Sequence, residues 1–132
     1  MPDGSHYDLW PVQMSTGRLA KAAGIHFVNI TVKSGVQAFG PDWEPLMRHK
    51  RGQCSDEEYT ELYLKKMEES MVEFPKTWLH LLFYNKMAFG CYCGAGKFCH
   101  RHLFIKLVKD FIETHGGTVT VHEELTKENL PA

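Results

Sequence analysis

Apolar residues recur along this chain in two rhythms, one of period two and one of helical period, and the changes between them mark out the elements. Ile25 opens the β-branched run IHFVNITV, which predicts a strand over Ile25–Val32 ending at the small polar turn Lys33-Ser34-Gly35. Met87 to Cys93 is a second short apolar run and Thr118 to His122 an alternating third. Between the first two strands the period lengthens. Tyr59, Leu62, Tyr63, Met67, Met71 and Phe74 recur at helical spacing, behind the capping box Ser55-Asp56-Glu57-Glu58. Pro75 suits the start of a further helix through Trp78, Leu81 and Leu82 to about Asn85. His102 to His115 is strongly amphipathic, with Leu103, Leu107 and Phe111 inward, joined by Phe104 and Val108, and Gly116-Gly117 ends it.

The remaining segments are less regular. Ser15 to Ala23 fits a short helix, with Ser15 or Thr16 as cap and Gly24 as stop. Val36 to Gln53 reads as a surface excursion anchored by Phe39, Pro41 and Trp43, with a helix from Asp42 to about Lys50. The residues before Ser15 carry two prolines and read as an extended arm (1–14) that lays Tyr7, Leu9 and Trp10 on the body. The chain from 125 to 132 reads as a tail, leaving one domain over 15–124.

Strand, helix and strand within a short span make a βαβ unit, which requires parallel strands and a right-handed crossover. The expected fold is a small three-layer α/β domain with a mainly parallel sheet. Ligands of such sheets sit beyond the carboxyl ends of the strands. Lys33-Ser34-Gly35 and Cys93 to Arg101 would open onto that edge together.

Composition narrows the field. The 132 residues suit a single core, and a net charge of −1 gives no field that advertises nucleic acid or a membrane surface. No apolar run reaches the length of a membrane span, and the N-terminus has no signal-peptide pattern. Three of the four cysteines fall within MAFGCYCGAGKFCHR, unlike a secreted disulfide framework, so a reducing cytoplasm is expected.

That stretch also carries the candidate chemistry, and four readings compete for it. In the first, Gly94, Gly96 and the following helix start hold a phosphate, with Lys97 or Arg101 pairing with it. Lys33 and Ser34 then contact sugar or phosphate, and Trp43 or Tyr63 covers a base. The ligand class is a nucleotide, a nucleoside derivative or nucleic acid. GAGKF is not a P-loop, since it lacks the longer glycine spacing and the Ser/Thr after lysine. A base-releasing or base-exchanging reaction would need a carboxylate from Glu58, Glu123 or Glu124, or the imidazole of His100. The second reading makes Cys99 a reactive thiol, activated by a helix start beside His100 and Arg101. In the third, Cys91, Cys93, Cys99 and His100 hold zinc and stabilise an interaction module, though C-x-C-x5-C-H is not a familiar ligand spacing. In the fourth the cysteines are small core fillers. Cys54 stands apart in a polar turn. The basic run Arg48-His49-Lys50-Arg51 reads first as a solvated helix end and second as a phosphate or nucleic-acid contact.

The successive motifs ITVKSG, FGPDWEPLMRHKRG, S-x-x-x-Y-T-x-x-Y and CYCGAGKFCHR resemble those of the domain-of-unknown-function 488 family of small bacterial and phage proteins. The resemblance covers roughly Asn29 to Gly116. It implies a Rossmann-like α/β fold, which agrees with the reading from periodicity, and a host-cytoplasm location if the chain is phage-encoded. The recurring family positions fall on Lys33, Ser34, Gly35, Pro41, Trp43, Lys50, Tyr59, Tyr63, Cys93, Cys99, His100 and Arg101. Many relatives have an acidic residue shortly after the first cysteine; here Gly94 and its neighbours take that place. The family brings no established activity.

Overall fold

Both faces of the segment HYDLWPVQ are apolar, and that decides the architecture. A computed structural model describes residues 5–31, 35–91 and 100–130. In it, β1 (His6–Gln13) is an inner strand of a four-stranded sheet. Tyr7 and Leu9 are buried on one side, Trp10 and Val12 on the other. The segment read as an arm is therefore the middle of the sheet. Pro11 is what disguises it, because a proline normally excludes a segment from a central ladder. Here Leu9 and Pro11 turn their carbonyls toward the last strand and its continuation, accepting from His122 N and Leu125 N, both at 2.8 Å. Paired register on that side stops at Leu9–Val121. The missing proline N–H therefore falls just beyond the end of that ladder.

The other strands are β2 (His26–Asn29), β3 (Lys86–Cys91) and β4 (Thr118–Val121), and the order across the sheet is β2-β3-β1-β4, with every pairing parallel. The β3-to-β4 crossover thus passes over β1 rather than joining neighbours. Helix α1 (Gly17–Ala22) follows β1 and ends at Gly24, whose φ of 81° is the left-handed conformation a glycine stop supplies. It packs Ala20 on Trp10, Val12, Ile25, Ala88 and Leu125. Leu125, assigned to the tail from sequence, is buried and bridged to Val12, so the body extends past residue 124.

The opposite face carries the larger core and three helices. These are α3 (Asp56–Glu73), α4 (Pro75–His80) and α5 (His100–Thr114). The Ser55 side chain accepts from Glu58 N at 3.1 Å, half of the expected capping box. On α3 the buried residues are Tyr59, Tyr63, Met67 and Ser70, while Leu62 is exposed. Helix α4 stops at His80 and continues as a 3-10 turn over Leu81–Phe83, close to the expected end at about Asn85. Helix α5 begins two residues earlier than its amphipathic pattern suggested. It buries Phe104, Ile105, Val108 and Ile112, leaving Leu103, Leu107 and Phe111 at the margin. Its inward stripe is rotated because the helix is covered both by the sheet and by α4, where Trp78 meets Phe104 and Phe111. Three layers result, a small Rossmann-like α/β domain. Among the described residues no helix is long and apolar enough to cross a membrane.

The excursion after β2 contains α2 (Trp43–Lys50). Phe39 anchors it as expected, but Trp43 is 48% exposed. Its basic end is internally paired: Arg48 bonds Glu44 and Glu58, and His49 bonds Asp56. One hydroxyl then ties the excursion to the helical layer. Ser70 Oγ donates to Ala38 O at 2.5 Å and accepts from Trp78 Nε1 at 3.0 Å, all of it buried. Ser70→Ala leaves a buried carbonyl and a buried indole N–H without that partner, at roughly 1–3 kcal/mol each. We expect a loss of about 2–4 kcal/mol in urea unfolding; a loss below about 1 kcal/mol would mean that water replaces the hydroxyl.

Candidate functional site

Parallel strands put all their carboxyl ends on one edge, here Gln13, Asn29, Cys91 and Val121. The chain leaves β1 toward α1 on one face and β3 toward α5 on the other. Neighbouring strands whose connections depart to opposite faces open a crevice between their ends, and this is where open α/β sheets take ligands. Gln13 and Cys91 therefore flank the crevice.

Of the residues singled out from sequence, Lys33, Ser34, Cys93, Gly94, Gly96, Lys97 and Cys99 lie outside the described residues. Gly35 is described, and its need for glycine is steric. A Cβ there would stand 2.5 Å from backbone atoms of Asn29 and Thr31. Gly35 N donates to Thr31 O and Val36 N to Asn29 O, folding the chain tightly back over the end of β2.

His100 and Arg101 open α5, and both are buried. His100 Nε2 lies 2.6 Å from Ile30 O, so this nitrogen carries the proton and donates. Its ring meets Tyr63 edge-on at 5.3 Å. Burial, helped by the charges of Arg101 and Lys50, pushes its pKa down to about 4 against the opposing pull of the Ile30 carbonyl. The imidazole is thus neutral near pH 7 and braces α5 against the end of β2. Tyr63 is equally committed, its hydroxyl donating to Phe39 O at 2.8 Å in the core. Lys50 closes α2 on the surface and Trp43 opens it.

Arg101 is fully buried. Its Nε and Nη2 donate to Glu124 Oε1 at 3.1 and 2.5 Å, and its Nη1 to Cys91 Sγ at 3.0 Å. Gln13 Nε2 approaches Glu124 Oε2 at 3.4 Å. The arginine read as a ligand clamp instead holds a carboxylate of its own chain at the crevice. Of the three acids considered, Glu124 is the one that Arg101 holds, with Glu123 beside it in the sequence, while Glu58 is taken up by Arg48. Nothing in the spacing of Arg101 and Glu124 announces their pairing.

Cys91 is disulfide-bonded, with its partner outside the described residues, and Cys54 is free and buried. A disulfide sulfur is not a thiolate, so in this state Cys91 cannot serve the expected zinc set. Among the described residues no three His, Cys, Asp or Glu side chains are grouped to hold a metal ion.

Beside the crevice a cavity of about 300 Å³ opens between α5 and the end of β4. Pro11, Ile105 and Val121 give it an apolar lining. His102 and Lys106, one helical turn apart, and Glu123 and Glu124 supply the polar groups. Neither His102 nor Lys106 was among the site residues singled out from sequence. No known family, no curated protein and no solved structure matches this chain.

Proposed function

We propose that this protein binds a small phosphate-bearing ligand, a nucleotide or nucleoside derivative, at the carboxyl edge of its sheet. The observation that carries the reading is the topology. The departures of β1 and β3 to opposite faces open a crevice at Gln13 and Cys91. Free backbone N–H groups at a helix start favour an anion. A carboxylate fixed by a buried arginine adds a group able to accept from ligand hydroxyls.

The test is a titration followed by amide chemical shifts. A nucleoside monophosphate should perturb the amides of Gln13, Thr31, Cys91 and His100, and its parent nucleoside should perturb them far less. Shifts confined to the opposite edge, at His26 and Lys86, or no shifts with any nucleotide, would sink the reading.

A second reading, thiol–disulfide chemistry, draws support from Cys91. Disulfides in a reducing cytoplasm are mostly transient or catalytic, and this one has a guanidinium N–H at 3.0 Å from its sulfur. Repeating the titration on oxidised and reduced protein separates the two. Identical perturbations in both states make the disulfide a structural tie only.

A further inference from the structure

Arg101 is consumed by Glu124, so a ligand phosphate at this edge needs another cationic partner. Resting on the reading above, we propose that the groove between α5 and the end of β4 takes a pentose phosphate moiety. Its phosphate meets His102 and Lys106, and its hydroxyls meet Glu123 and Glu124.

Four observations converge. First, His102 and Lys106 stand one turn apart on α5 and both line the groove. Among the described residues neither forms an ion pair or hydrogen bond within the chain. Partial desolvation of the ring in the groove and the nearby Arg101 lower the His102 pKa against the pull of Glu124, so near neutrality the imidazole serves mainly as a hydrogen-bond donor and Lys106 supplies the charge. Second, the opposite wall is acidic. Two carboxylates repel a bare anion but accept from hydroxyls, so the complementary ligand is anionic at one end and hydroxylated at the other. Third, Glu124 is held in place before any ligand arrives, by Arg101 on one oxygen and Gln13 on the other. A preorganised group loses little freedom on binding. Fourth, a volume of about 300 Å³ is at the lower limit for ligand pockets. It accommodates a sugar phosphate and leaves an attached base outside, on the open side.

The last point makes a claim about specificity: binding depends on the phosphate and the sugar and hardly on the base. The experiment is calorimetric titration of the full chain with ribose 5-phosphate, ribose, inorganic phosphate, and adenosine and cytidine monophosphates. Wild type, Lys106→Ala and His102→Gln are compared after their melting temperatures are matched. Both side chains are exposed, so the variants should fold. Ribose 5-phosphate and the two nucleotides are expected to bind within about threefold of one another. Ribose and inorganic phosphate should bind at least tenfold more weakly, and Lys106→Ala should lose tenfold or more. Lys106→Ala binding ribose 5-phosphate like wild type overturns this assignment. If nucleotides still shift the Gln13 and Cys91 amides in that variant, the broader reading survives without the groove. If wild type binds none of the phosphates, both fall.

Discussion

Glu124→Ala is expected to destabilise the fold by about 3–5 kcal/mol, the range found when one partner of a buried ion pair is removed. Arg101 has no exposed surface, and its Nε and Nη2 are both directed at Glu124 Oε1. Without the carboxylate a buried guanidinium loses the charged partner of two of its nitrogens. For a domain of this size the loss corresponds to a melting temperature lower by roughly 10–20 °C. Glu124→Gln keeps an oxygen acceptor and should fall between wild type and alanine. The double variant Arg101→Met, Glu124→Leu should recover most of the loss, because well-packed apolar groups often replace a buried pair without cost. Calorimetric melts of the three variants check this, and a Glu124→Ala midpoint within about 1 °C of wild type would refute it. It follows that Arg101→Ala is a poor probe of ligand binding, since its first effect is on the fold.

The second large effect is on acid stability. Folded His100 has its pKa pushed down to about 4 from the usual 6.5 by burial. Below pH 6.5 the unfolded chain takes up a proton at this position that the folded chain refuses. Stability therefore declines as pH falls from about 6.5 toward about 4, where folded His100 protonates and the decline ends. Above pH 6.5 this contribution is fully retained. The interval corresponds to about 3 kcal/mol. Carboxylates also titrate in acid, so the informative quantity is a difference. His100→Gln keeps a donor for Ile30 O but does not titrate. Its stability should fall between pH 7 and pH 4.5 by about 2 kcal/mol less than that of wild type in urea melts. Equal losses would show that His100 is not the group responsible.

Periodicity was a sound guide wherever one segment faces one environment. The strands at Phe27–Val28, Phe89 and Val119 and the α3 stripe of Tyr59, Tyr63 and Met67 were all readable for that reason. It misled where a segment is covered twice. β1 is apolar on both faces, so alternation vanishes, and Pro11 argued further against a strand. Helix α5 touches both the sheet and α4, which turns its deepest stripe from Leu103 and Leu107 to Phe104 and Val108. At the sheet edge, the Cys-His-Arg ending gave no sign of the structural roles of its histidine and arginine. His100 and Arg101 are charged or titratable types that sequence reading puts near solvent, and both are buried by partners distant in the chain: Ile30 at 70 residues and Glu124 at 23. The groove-lining Lys106 looked like any solvated lysine, because only the fold of the chain after β4 brings the wall opposite it.

The inner position of β1 also bears on how the protein is made. Tyr7 hydrogen-bonds Leu82 O across 75 residues of sequence, and Asp8 meets His122 across 114. During synthesis at roughly 5–20 residues per second, β1 waits about four to fifteen seconds before the region of its first neighbour exists. It waits longer still for β4. Over that interval a strand apolar on both faces, with both its edges open, is a ready partner for any other chain. Nascent chains stalled before β3 should therefore depend on chaperones until the middle of the sheet can close.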